Sequence, residues 1–232
     1  MQKKIYLCFR FMNQKLLSNR MKTALKISIL VLIFSSAINS SAQKYAVEIG
    51  YTNPAKHGSN FSPTYFYGGR LGGTANFELK NNFSLLTGAL YSFVYSDKKI
   101  GYPNSGLVNK KTTGHFIDIP IHVLYSLPIS KTLKVFGYAG PNINVGLSQN
   151  QITTSNLSAA LNTFHAVEVG TKELYTASIL NRLNLQIGLG GGIQWKKYQI
   201  KSGYDFGVTN LNKIDTGNLF QRGWYVSFSY EF

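Results

Sequence analysis

The C-terminal tract is the feature that most restricts the fold. Trp224, Val226, Phe228, Tyr230 and Phe232 fall on one face of it, and Ser227, Ser229 and Glu231 on the other. Successive side chains of a strand point to opposite faces, whereas a helix repeats about every 3.6 residues, so this period requires two-faced strands. Ile117, Ile119, Ile121, Val123 and Tyr125 alternate in the same way with Asp118, Pro120 and His122. The same reading predicts about eight strands: Lys44 to Tyr51, Tyr67 to Leu79, Phe83 to Tyr95, His115 to Tyr125, Val135 to Leu147, Ile179 to Trp195, Tyr198 to Thr209 and Arg222 to Phe232. Most reach the roughly 9–11 residues of a tilted membrane-crossing strand, beyond the roughly 5–6 usual in soluble proteins.

The links between these strands alternate in length. Lys80 to Asn82, Ser126 to Lys134 and Lys196 to Lys197 are short, while Thr52 to Phe66, Ser96 to Gly114, Ser148 to Ser178 and Asn210 to Gln221 are long. Hairpins that each have one end in the periplasm and one outside the cell give this alternation, with both chain ends on the short-turn side. Face composition selects the orientation. Leu183, Leu185, Ile187, Leu189, Ile193 and Trp195 oppose Asn184, Gln186, Gly188, Gly190, Gly192 and Gln194. A glycine-rich, sparsely charged polar face is too modest for a wet exterior, so it belongs inside and the apolar face meets lipid. Closure of the sheet then satisfies every edge hydrogen bond in lipid. The predicted fold is an all-β transmembrane antiparallel β-barrel of about eight strands, the size of small OmpA- or OmpX-type barrels.

Aromatic residues near the strand ends fit two interfacial belts. Phe83, Tyr125, Trp195, Tyr198 and Phe232 mark the short-turn interface, and Tyr67, Tyr95 and Trp224 the opposite one.

The first 42 residues are of another kind. They hold seven basic residues and no acidic ones, and Lys22 and Lys26 precede an apolar stretch from Ile27 to Phe34 that leads into Ser40-Ser41-Ala42. That order is the order of a secretory signal peptide cleaved after Ala42. Met21 offers a second start, and an N-terminal anchor helix is the alternative reading of the segment. The predicted organisation is therefore an extension and signal peptide over 1–42 and a barrel domain over 43–232. Removing the seven basic residues takes the formal charge from +15 to +8, and the only cysteine, Cys8, goes with them. Neither a disulfide framework nor a CxxC metal site is available, and export removes the case for a nucleic-acid partner.

The inward-facing charges are predicted to be Glu48, Arg70, Glu78, Asp118, Lys201, Asp205 and Glu231, with His122 on the same face. A small barrel has room only for side chains, and unpaired buried charge is costly, so these residues should form an interior polar network and leave no sizeable pore. Asp118 and His122 are four residues, or about 13 Å, apart along one strand, too far for direct contact. No Ser/His/acid spacing stands out, so no catalytic residue, cofactor or metal is assigned. The polar-face glycines 68, 72, 188, 190, 192, 203 and 207 sit within strands, where they serve interior packing or curvature rather than phosphate binding. Lys98, Lys99, Lys110 and Lys111 crowd the link after the third strand and are candidate contacts for lipopolysaccharide phosphates. In the longest link, Leu157, Ala160, Leu161 and Phe164 have helical spacing with Asn156 as a candidate cap. Such a helix would dock on a partner, fold over the mouth or cover strand extensions.

Several stretches resemble a known family. Phe116-Ile117-Asp118-Ile119-Pro120, Gly137-Tyr138-Ala139-Gly140-Pro141, Gly188-Leu189-Gly190-Gly191-Gly192 and Tyr204-Asp205-Phe206-Gly207-Val208-Thr209-Asn210 are similar, in order, to segments of the small outer-membrane β-barrels of the Bacteroidota, a group that includes the PorT-like proteins. The terminal Tyr230-Glu231-Phe232 is similar to the aromatic C-terminal signal that such barrels present to the outer-membrane insertion machinery. The resemblance implies a scaffold in the outer membrane, in contact with its lipids, and no reaction. The reading it leads to is a non-enzymatic barrel that supports envelope integrity or an outer-membrane assembly, secretion-related as the resemblance implies, with an envelope protein as partner. A narrow transport or adhesion barrel is the alternative, followed by a lipid-modifying enzyme.

Overall fold

The computed structural model describes residues 43–232 except 60, 104, 166, 215 and 216. The export segment expected over 1–42 lies outside the described residues. Among the described residues there are ten strands: β1 Gln43–Gly58, β2 Phe61–Tyr65, β3 Tyr67–Glu78, β4 Phe83–Tyr102, β5 Gly106–Pro128, β6 Leu133–Ser155, β7 Gly170–Glu173, β8 Leu183–Trp195, β9 Tyr198–Gly207 and β10 Leu219–Glu231. A short helix, α1, spans Ala159–Phe164.

Eight of these strands are long and antiparallel to both neighbours, in the order β10-β9-β8-β6-β5-β4-β3-β1, and β1 pairs back onto β10 from Ala46↔Glu231 to Gly58↔Leu219. Every long strand therefore has a hydrogen-bonded neighbour on each side. The other two strands are short additions at the long-link end: β2 pairs with the end of β1, and β7 with the end of β6. Ten strands thus replace the expected eight, because two links contain pieces extended enough to pair.

Strands β1, β4, β5 and β6 run further than predicted, whereas β8 begins at Leu183 rather than Ile179 and β9 ends at Gly207 rather than Thr209. The expected link from Ser96 to Gly114 is a continuation of β4 and β5, paired down to Tyr102↔Gly106. Gln149 to Ser155 likewise extends β6, where it pairs with β5 and β7. Polar runs such as Ser96 to Lys99 and Asn109 to Thr113 interrupt the alternation in these segments, so the period no longer marks the strand.

The predicted inward face is not purely polar. Leu86, Leu124, Phe136, Tyr138 and Tyr225 form one buried cluster. Phe66, Val94, Phe116, Leu174, Tyr175, Leu180 and Leu211 form a second, at the long-link end. Five of the second group lie outside the strands, four of them between β7 and β8 or after β9, so the chain there folds back to fill that end. The outward face keeps its large apolar residues exposed, among them Ile49, Leu71, Leu185, Ile187, Leu189, Ile200 and Phe228. This burial is the inverse of a soluble core, with polar side chains enclosed and apolar ones outside.

Candidate functional site

The polar interior draws on all eight long strands. Glu48 is fully buried; its Oε2 lies 2.7 Å from Lys201 Nζ and its Oε1 lies 3.6 Å from Arg70 Nε. The Arg70 guanidinium also lies over the Tyr225 ring, 4.3 Å from its centroid. Two buried cations thus share one buried carboxylate, and a further pair of carboxylates completes the set. Asp118 accepts hydrogen bonds from Ser92 Oγ at 2.6 Å and from Asn144 Nδ2 at 2.7 Å. Asp205 accepts from Asn142 Nδ2 at 3.4 Å, and the same amide donates to Gln186 Oε1 at 3.0 Å.

His122 has separate partners from Asp118. Its ring stacks on Tyr138 at 5.1 Å with 19° between the planes. The hydroxyls of Tyr138 and Tyr225 then meet at 2.8 Å. Gly190 and Gly203 make that meeting possible, since Tyr138 pairs with Gly190, Gly190 with Gly203 and Gly203 with Tyr225 around the sheet. A Cβ at Gly203 would stand 2.8 Å from the Tyr225 hydroxyl, so two adjacent positions without side chains leave the room the phenols occupy. Beside Arg70, Asp118 and Asp205 lies a cavity of about 30 Å³ that also touches Val94 and Phe116. It is the size of about one water molecule.

Glu78 and Glu231 do not join this interior set. They lie at the short-turn rim, 41% and 17% exposed, where Lys44 Nζ pairs with them at 2.7 and 3.7 Å. Both have inward parity, but they sit at the strand ends, where the interior opens to solvent. Glu48, Arg70, Lys201, Asp118, His122 and Asp205 are the predicted interior residues that the structure brings together.

The four lysines expected in a loop are in strands, on two different faces. Lys98 pairs opposite Lys110, and Asp97 opposite Lys111, in the β4–β5 register. Strand alternation turns Lys98 and Lys110 into a cavity at the long-link end, while Lys99 and Lys111 have the opposite parity. Lys98 Nζ donates to Ser62 O at 2.8 Å, Pro63 O at 3.2 Å and Thr64 Oγ1 at 3.3 Å, holding β2 against β4. A single patch of four is therefore not formed.

The aromatic set pairs mostly across strands, with Tyr230 and Phe232 neighbours along the chain. Tyr67 meets Tyr95 at 5.5 Å, Phe83 meets Tyr125 at 4.9 Å, Trp195 meets Tyr198 at 6.2 Å, Tyr51 meets Trp224 at 5.4 Å and Tyr230 meets Phe232 at 5.5 Å. The helix differs from its prediction in its cap. Ser158 Oγ, not Asn156, accepts from Leu161 N, while Asn156 Oδ1 accepts from Leu107 N. Helix α1 buries none of its own residues, and Phe164 is 81% exposed. Sequence reasoning missed Leu174, Tyr175 and Leu211, whose apolar character inside polar links was the available signal, and placed Leu180 in a strand.

The outer membrane protein beta-barrel domain family matches residues 32–232. The chain belongs to this family. It is an outer-membrane β-barrel protein, and its long strands have transmembrane character. Among solved structures it is similar to the surface protein NspA of Neisseria, with 10% identity, 83% of this chain and 100% of that one covered and a TM-score of 0.44. It is also similar to the attachment invasion locus protein Ail of Yersinia pestis, with 13% identity, coverage of 82% and 98% and a TM-score of 0.36. The N-terminal barrel domain of Pseudomonas aeruginosa OprF gives 12% identity, coverage of 82% and 100% and a TM-score of 0.32. Likeness at this level carries nothing about activity. No curated protein sequence matches the chain.

Proposed function

We propose that this outer-membrane protein is a non-enzymatic barrel that closes with eight membrane-crossing strands and works as a solid scaffold, supporting envelope integrity or an outer-membrane assembly through its long-link end. The supporting observation is the filled interior. The Glu48, Arg70 and Lys201 group lies against one apolar cluster through Tyr225 and beside the other at Val94 and Phe116, with a cavity of only about 30 Å³ between them. A barrel filled in this way offers partners its ends and outer surface, and solutes no path.

A secretion-related role is the finer reading, drawn from the PorT-like resemblance. Export uses the segment over 1–42, and the terminal strand ending at Phe232 engages the insertion machinery. Lys99 and Lys111, the two lysines whose parity points away from the cavity, are the candidate contacts for lipopolysaccharide phosphates. Two measurements test the proposal. In planar bilayers the pure protein should give no steady, reproducible large-conductance steps, and their appearance would overturn the filled interior. Gentle solubilisation of the natively expressed protein should bring down a stoichiometric envelope protein; isolation alone or with lipopolysaccharide would overturn the assembly role.

A further inference from the structure

A second cavity, of about 570 Å³, opens at the long-link end above the Phe66, Leu174 and Leu180 plug. Small-molecule sites usually enclose roughly 300–1,000 Å³. Lys56 lies at its base and is 6% exposed. Its Nζ donates to Gln149 Oε1 at 2.6 Å and stands 5.6 Å from the centre of the Phe66 ring. No carboxylate among the described residues lies within 4.0 Å of this ammonium. Lysine is almost never buried without a counter-charge, and one hydrogen bond leaves two of its three donors to be met.

The walls add to this excess. Lys98 and Lys110 line the same cavity and face each other directly in the β4–β5 register. Like charges directly opposite one another destabilise a strand pair. Glu168 also lines the cavity, but it is paired with Lys172. The lining between these charges is mixed, with Phe66, Val108 and Leu180 set among polar side chains such as Thr64, Thr112 and Thr153.

We propose that this cup binds a small organic anion, an apolar body bearing a phosphate or carboxylate group. The anionic group takes the spare donors of Lys56 and the charge of Lys110, and the body packs against Phe66 and Leu180. Charge-assisted hydrogen bonds of this kind are among the strong ones, and the low-dielectric floor raises their worth. The cup is independent of whether the protein acts in an assembly.

The test is calorimetric titration of the full chain extracted from membranes in dodecyl maltoside, with phenyl phosphate, neutral benzyl alcohol and inorganic phosphate as probes. Saturable binding of phenyl phosphate is expected, at least about tenfold tighter than either of the other two probes, with Lys56→Met weakening it by at least about tenfold. Should Lys56→Met fail to fold, Lys110→Gln on the half-buried hairpin wall carries the same expectation of weaker binding. Absent binding of phenyl phosphate, equal affinity for benzyl alcohol or inorganic phosphate, or unchanged affinity in the variant that folds would overturn the proposal.

Discussion

Glu48 is the residue on which the interior charge balance turns, because Lys201 and Arg70 both depend on it. Removing one partner of a buried ion pair leaves uncompensated charge and typically costs about 3–5 kcal/mol. Glu48→Gln should therefore lower the urea midpoint of the folded protein in vesicles by that order of free energy, with Lys44→Gln at the exposed rim near neutral as its control. The Tyr138 and Tyr225 pair supplies a second residue-scale test. Gly203→Ala pushes a methyl group onto both hydroxyls, and overpacking of this kind costs about 1–3 kcal/mol. Combining it with Tyr225→Phe, measured by the same unfolding midpoint, should recover part of the loss. The inward parity of Glu48, Arg70 and Lys201 was legible from alternation alone. Their meeting was not, because it joins residues from three strands and depends on how far long side chains reach across the interior.

At the scale of elements, the long links are where pattern reading and structure part. The β4–β5 hairpin carries Lys98, Lys99, Lys110 and Lys111 into paired strands, so one cluster in sequence becomes two faces in space. Nothing in a run of lysines distinguishes a loop from a strand extension when polar runs interrupt the alternation. The segment after β7 shows the same limit, with Leu174 and Tyr175 reading as scattered apolar residues until the fold draws them into the mouth. Glu173 helps to hold that segment. Its partial burial alone would raise its pKa, but hydrogen bonds from Thr176, Gln149 and Tyr175 outweigh this and hold the carboxyl down to about 2. A depressed carboxylate stabilises the fold fully above its unfolded value and loses that contribution as pH falls through the folded one. Amide exchange over residues 170–182 of the wild type, corrected for the intrinsic rate, should thus be slower than that of Glu173→Gln at neutral pH, rise as pH falls from about 4.5 towards 2, and converge there on that of the variant. A constant difference between wild type and variant across this range would remove Glu173 from the role.

For the whole molecule, long strands, outward apolar faces and paired aromatic residues fit the outer-membrane β-barrel family, and a scaffold role is the function we propose for it. The class of fold was legible because lipid imposes the period on every crossing strand. The strand total and the plug were not, because the period is interrupted in the long links. Everything proposed here depends on the ring closing between the first and last strands. Tyr51 and Val226 sit opposite each other across that seam, both facing outward, and a single natural cysteine, Cys8, is easily removed. Directly opposed residues of an antiparallel pair have Cα atoms about 4.5–5.5 Å apart, within reach of a disulfide. The most direct measurement is therefore oxidative cross-linking of Tyr51→Cys with Val226→Cys in a Cys8→Ser background, in the membrane fraction, read by non-reducing electrophoresis after boiling. A fast-migrating, intramolecularly linked monomer that reverts on reduction is the expected result; free thiols, or only cross-linked dimers, would contradict the closed ring.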